Sequence, residues 1–230
     1  MTYSRFLLSF LFAGTLVAAQ YKVELKNISP TYDAKISVEN CSEDECRGKA
    51  DIELINKSTS RTQTFTSPNL NFYLKNQPMP TKDKASLITF DAPLESPLII
   101  DDFNFDGTED LAIRNGSLGN YGAPSYDVYV YNSTQKKFVP SEELTDLASN
   151  YLGIFEVDPE RRRLIVYAKS GAALHFTAEY TVIPHRGLVK VYEEEEDASG
   201  GERVKVTKKE FIDDKWITTI KNYPIEEYYK

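Results

Sequence analysis

Between residues 102 and 110 the chain reads Asp102-Phe103-Asn104-Phe105-Asp106-Gly107-Thr108-Glu109-Asp110. Side-chain oxygens therefore fall at the first, third, fifth and ninth positions of one short loop, with Gly107 at the sharp turn. Thr108 can add its backbone carbonyl. A hard cation gathers several oxygens from such a loop, and calcium is the ion that this donor set suits. The twelfth position, where a helix-loop-helix calcium site carries a bidentate Glu, holds Ile113, and the flanks read as strands. A helical calcium switch is therefore not expected. Without an ion, Asp102, Asp106 and Asp110 would repel one another, so calcium removal should loosen the region, which is a structural role. The competing reading is an ordinary polar turn, because Asn, Asp and Gly are also turn formers.

Other residues offer little for catalysis. His175 and His185 are the two histidines, and neither lies in a recognisable nucleophile motif. His185 sits between Pro184 and Arg186-Gly187 and reads as a turn residue. The 35 acids always allow some carboxylate pair at a glycosidase separation, which makes that signal uninformative. Glycine-rich phosphate loops are absent. The chain is expected not to be an enzyme.

Cys41 and Cys46 enclose Ser-Glu-Asp-Glu. In an exported protein a disulfide closing this small loop is the first reading. Metal binding is the alternative, although two thiols alone are half a zinc site. Export is suggested by Arg5, the apolar run from Phe6 to Val17 and the small residues Val17-Ala18-Ala19, which together read as a signal peptide over 1–19. That run is short for a bilayer span and no later segment has eighteen apolar residues, so membrane insertion is not expected. Gln20, not Cys, stands directly after the cleavage point, so no thiol for a lipid anchor is expected there. The expectation is a soluble periplasmic or secreted protein, residues 20–230, forming one β-rich domain with the calcium loop at 102–110. Removing Arg5 moves the charge from −8 to 26 − 35 = −9, which disfavours nucleic acid and anionic membrane as partners.

The elements that must position these residues are mostly strands. Alternating segments rich in β-branched and aromatic residues run over 21–25, 34–38, 50–55, 62–65, 70–74, 86–90, 98–100, 111–113 and 126–131. They continue over 163–167, 174–183, 188–192, 203–208 and 216–220. One short helix is expected after Ser141, with acids in its first turn, apolar residues at 144, 147, 148 and 151, and Gly153 beyond its end. The acid run Glu193–Asp197 reads as a solvated hairpin tip with charges facing across the strands. The fold class is mostly β, an antiparallel propeller-like or sandwich arrangement of sheets.

The loop resembles the calcium loops of integrin-like repeats, in which Asp110 would supply the closing carboxylate between two strands. A longer resemblance covers residues 49 to 192. It is carried by Asp102 to Gly116, by Tyr121-Gly-Ala-Pro-Ser-Tyr-Asp-Val-Tyr-Val-Tyr131, by Phe155-Glu-Val-Asp158, by Lys169-Ser-Gly-Ala-Ala-Leu-His175 and by Glu179-Tyr180. These segments resemble a family of bacterial periplasmic proteins. That family includes an immunity protein against lysozyme-like effectors of an antibacterial type IV secretion system, and it is related to periplasmic lysozyme inhibitors. The resemblance implies a β-rich fold, bound calcium, and a Ser-Gly loop that enters a target enzyme's cleft beside an aromatic residue. Ser170-Gly171 match that loop and His175 fits it. Ala172-Ala173-Leu174 depart from the family's paired cysteines and Trp.

Two functional classes follow. In the first, Ser170, Gly171, Ala172, Leu174 and His175 bind and block a lysozyme-like peptidoglycan hydrolase or secreted effector. A rigid, glycine-containing turn suits this because little ordering is needed on binding, and an acidic chain favours encounter with a basic enzyme. The bland reading of the same residues is a hairpin bend. In the second class, a calcium-stabilised envelope module binds glycan or protein through Tyr121, Tyr126, Tyr129 and Tyr131, residues that as strand aromatics could equally be half-buried.

Overall fold

The computed structural model describes residues 20–74, 77–82, 84, 86–88, 96–183 and 185–229. The export signal read at 1–19 lies outside the described residues. Five strands, β1 (Tyr21–Leu25), β2 (Tyr32–Cys41), β3 (Glu45–Asn56), β4 (Thr62–Tyr73) and β5 (Ser86–Ile88), form one sheet in the order β4-β3-β2-β1-β5. Its pairings are antiparallel except β1 with β5, which is parallel. A second sheet holds β6 (Leu98–Asp101), β7 (Asp110–Gly116), β8 (Ser125–Asn132) and β9 (Lys137–Pro140) in sequence order. Helix α1 (Glu142–Ser149) follows. The third sheet runs β10 (Glu156–Asp158), β11 (Arg163–Ser170), β12 (Leu174–Ile183), β13 (Gly187–Asp197), β14 (Arg203–Ile212) and β15 (Lys215–Pro224), and a short helix α2 (Ile225–Tyr228) closes the described chain.

Side-chain alternation explains the layering. On β7, Leu111 and Ile113 join Ile36, Ile52, Leu54 and Phe72 of the first sheet in one core, while Ala112 points the other way. There it meets Leu144, Leu147 and Ala148 of α1 and Leu164, Val166 and Ala178 of the third sheet. The four-stranded sheet is thus a middle layer covered on both faces, which is why Asp110, Leu111, Ala112 and Ile113 are buried in succession. Each fully buried Leu or Ile in such a core contributes about 1.5–3 kcal/mol relative to exposure. Of the two arrangements expected from the sequence, the sandwich-like one describes these sheets.

The helix begins where expected: the Ser141 hydroxyl accepts a hydrogen bond from the Leu144 amide at 3.4 Å. It ends at Ser149 rather than running on through Tyr151, whose hydroxyl instead lies 2.8 Å from that of Tyr180. Segments 62–65 and 70–74 merge into one strand, β4, which ends at Tyr73. Pro68 and Asn69 sit where the β3–β4 register shifts, on an edge strand, so the missing amide interrupts no regular pair. Strands β9 and β10, only four and three residues long, carry too little alternation to be read from the sequence.

The acid run requires a correction. Glu193 to Asp197 lie inside β13, and the turn comes later, at 198–202. Glu193 accepts from Lys209 at 2.7 Å and from Lys190 at 3.1 Å, and Glu194 pairs with Lys208. The charges do face each other across the strands, as expected, but as a ladder that holds the sheet together.

Cys41 and Cys46 form a disulfide across the β2–β3 pair, with Cα atoms 4.0 Å apart. Among the described residues no helix is long and apolar enough to cross a membrane.

Candidate functional site: an acidic loop and an exposed turn

The 102–110 loop joins β6 to β7, and Asp110 is the first residue of β7, fully buried. Its two carboxylate oxygens accept from the Phe103 amide at 3.0 Å and the Tyr131 amide at 2.8 Å, binding the loop to β8. Burial, with the neighbouring charges of Asp106 and Asp102, pushes the Asp110 carboxyl up to about 7, against the lowering effect of these two amides. Asp102 accepts from the Asp106 amide at 3.0 Å and the Gly107 amide at 2.8 Å. Asn104 Oδ1 accepts from the Asp106 amide at 2.9 Å, and Asp106 accepts from the Thr108 amide at 2.8 Å and hydroxyl at 2.6 Å. Phe103 and Phe105 turn inward to the second core, so the aromatic residues between the oxygen donors serve as anchors.

The donor chemistry is all oxygen, as calcium requires, and the buried, cation-poor Asp110 is a carboxylate that an ion would relieve. As placed, however, the oxygens of Asp102, Asn104 and Asp106 are engaged by amides. Among the described residues no group of three or more His, Cys, Asp or Glu is arranged so that it could hold a metal ion. Because each of these oxygens has a further lone pair, an ion could be bound only after the side chains turn to converge on it, with their amide hydrogen bonds kept or exchanged.

One contact to the loop had no sequence signal. Arg162, in the turn between β10 and β11, donates to the Phe105 carbonyl at 2.7 Å and lies 5.5 Å from the Phe105 ring centre. It ties the acidic loop to the third sheet. A separation of 57 residues hides such a pair from any reading of spacing.

Ser170 ends β11, and Gly171-Ala172-Ala173 make the turn into β12. Gly171 has φ +66, a left-handed conformation that strains any other residue. Its amide donates to the Tyr121 hydroxyl at 2.6 Å, and the Lys169 ammonium lies 5.0 Å from the Tyr121 ring centre. Tyr121 is 64% exposed and itself sits at φ 56 in a short 3-10 segment, Asn120–Gly122. That segment is pinned by the Asn120 amide to the Tyr151 carbonyl at 2.8 Å. A Cβ on Gly119 would stand 2.7 Å from the same carbonyl, so only glycine allows this approach.

The five candidate partner residues therefore divide. Ser170, Gly171 and Ala172 form an exposed tip together with Tyr121 and Lys169. Leu174 and His175 belong to β12, half-buried and on opposite faces, with His175 Nδ1 3.7 Å from a Glu196 carboxylate oxygen. The tyrosine face is likewise split. Tyr126 is 2% exposed in the second core, Tyr129 and Tyr131 pack on Phe65 and Phe138, and only Tyr121 of the four is exposed. A continuous stacking platform of these four is not formed.

No family model matches the chain, and none of the curated proteins matches it. Among solved structures it is similar to a Xanthomonas type IV secretion system related protein, with a TM-score of 0.63 and 20% identity. The alignment covers 83% of this chain and 90% of that one, and at this identity it establishes a shared fold.

Proposed function

We propose that this chain is an extracytoplasmic inhibitor or immunity protein that acts by binding rather than by catalysis, and that it blocks a lysozyme-like peptidoglycan hydrolase. The observation that carries the reading is the exposed Ser170-Gly171-Ala172 tip held against Tyr121. Because the hydroxyl of a pinned tyrosine fixes the turn's backbone, a partner's cleft would meet a surface already ordered, which reduces the entropy lost on binding. Tyr121 supplies the aromatic residue that the inhibitor resemblance calls for, from a segment 50 residues away. The Cys41–Cys46 disulfide supports an oxidising compartment. The secretion-system setting named for the solved neighbour supports a role beside such machinery.

Calcium is the proposed cofactor, held by Asp102, Asn104, Asp106 and Asp110 with the Thr108 carbonyl. It would stabilise the junction between β6, β7 and β8 and take no part in any reaction.

Residues 20–230 should be assayed against a panel of lysozyme-type and lytic-transglycosylase-type hydrolases, with calcium and with chelator. Inhibition of one class at near-stoichiometric protein is expected, and Tyr121→Ala should weaken it about tenfold, the effect of an aromatic anchor. Gly171→Arg should abolish it, with thermal melting of both variants checking that the fold persists. Absence of inhibition across the panel overturns the reading.

A further inference from the structure

A cavity of about 610 Å³ opens where the first and second sheets meet, lined by no residue of the 102–110 loop or the 170–172 tip, although the amide of one lining residue, Tyr131, donates to Asp110. This volume is in the range of small-molecule sites, about 300–1,000 Å³. Its floor and one wall are aromatic. Phe138 packs edge-on against Tyr32 at 5.5 Å and against Tyr131 at 5.3 Å between ring centres. Gln63 fixes Phe138 from across the sheets, donating to its carbonyl at 2.8 Å and accepting from its amide at 2.9 Å. The floor is therefore locked by packing and by two hydrogen bonds, and the cavity is preformed.

The rim differs in kind from the rest of this acidic chain. Arg61, at the end of the β3–β4 turn, and Lys136 and Lys137, at the β8–β9 turn, line the same cavity, and among the described residues no acid does. All three are exposed, and none makes an ion pair or side-chain hydrogen bond among the described residues. Three lysines of the third sheet, Lys190, Lys208 and Lys209, are by contrast paired with the β13 glutamates. Converging unpaired cations on a chain of formal charge −8 raise the local potential for an anion. The hydroxyls of Thr62 and Tyr131, which carry no hydrogen bond among the described residues, add groups that can bond to a polyol.

We propose that this cavity is a binding site for an acidic sugar unit, whose carboxylate or phosphate would be held by Arg61, Lys136 and Lys137 while its ring lies against Tyr32, Tyr131 and Phe138. Aromatic walls with a few convergent polar groups are the usual make-up of a small-ligand site, and guanidinium and ammonium groups are the usual partners of carboxylate and phosphate.

The test uses residues 20–230 in amide-resolved NMR titrations with four sugars: glucuronic acid, glucose, N-acetylmuramic acid and N-acetylglucosamine. Inorganic phosphate alone serves as the anion control. At least one acidic sugar should shift amides of the 56–63 and 131–138 segments, with its neutral counterpart about tenfold weaker or more, as loss of a charged hydrogen bond implies. The double variant Arg61→Glu, Lys137→Glu, both positions being exposed and outside the cores, should lose the acidic sugar while keeping the dispersed spectrum of the folded protein. Glucose 6-phosphate, as a fifth ligand, separates a carboxylate preference from a phosphate one. The proposal is overturned if no acidic sugar binds, if neutral sugars bind equally well, if inorganic phosphate reproduces the shifts at the same affinity, or if the double variant binds unchanged.

Discussion

The first two sheets and the outer strands of the third are held by different forces. Between the first two, Val38, Ala50, Ile52, Leu70, Phe72, Leu111 and Ile113 are almost completely removed from water. In β13, by contrast, every residue is only half-buried, and most of β15 is exposed. There, polar pairs add to the backbone ladders: Glu193 with Lys209 and Glu194 with Lys208 across the strands, Glu193 with Lys190 along β13, and the Tyr228 hydroxyl of α2 with Glu196 at 2.6 Å. A small third cluster, Ala198, Val204 and Val206 with Tyr223 and Ile225, adds a local apolar cap at the far end. The first two sheets are thus stabilised mainly by burial, which salt and pH hardly touch, while the outer strands of the third add charge pairs, which both weaken.

The sharpest way to break that contrast is to open a cavity in the middle layer. Leu111→Ala should lower unfolding stability by about 2–5 kcal/mol in urea denaturation, independent of salt, because the surrounding sheets cannot fully collapse onto the space. The second largest effect should come from the acidic loop. If calcium binds it, an ion at about a hundred times its dissociation constant should add about 2.7 kcal/mol, read as a rise in thermal midpoint. Asp110→Asn should remove that rise. An equal rise in the variant would assign calcium's effect to another place. The smallest effect belongs to the ladder: Lys208→Ala should change global stability by less than about 1 kcal/mol, yet speed amide exchange in β13–β15 at low salt. Hydrogen bonds from Lys209 and Lys190 hold the Glu193 carboxyl below its ordinary 4.5 despite partial burial. Its stabilising contribution is therefore complete above pH 4.5 and is lost as pH falls through the lower folded value. Acid should loosen the outer strands before the buried sheets, a sequence that exchange rates measured at falling pH would show.

The same contrast governs what the sequence could disclose. Alternation in a half-covered sheet is written locally, so β1 and β12 begin and end where their patterns do, and Ser141 marks the start of α1. The Cys41–Cys46 pair was legible for the same reason, both partners lying in one hairpin. The acid run misled because its partners, Lys208 and Lys209, are distant in the chain, and five acids in succession read as a solvated tip until lysines stand opposite. The loop's five metal candidates were legible as a pattern, but the burial of Asp110 was not, since it follows from the covering of the middle sheet on both faces, and the amides of Phe103 and Tyr131 that satisfy its carboxylate come from the fold. Around the 170–172 tip the turn could be read, whereas Tyr121, which fixes it, could not. Nor could the cavity be foreseen, because its cations come from two turns that only the stacking of sheets brings together.

The exposed strand β15 carries a further consequence for how the protein behaves in a crowded compartment. It stands at the end of its sheet, ten residues long, with β14 on one side. Such an open row of amides and carbonyls is a template on which another chain can grow, and Trp216, Ile217 and Ile220 make it adhesive. Lys215 and Lys221 guard it: in a symmetric antiparallel pairing centred on Thr218 they would face each other and repel. Neutralising those two positions would turn a tolerated edge into a nucleus for aggregation.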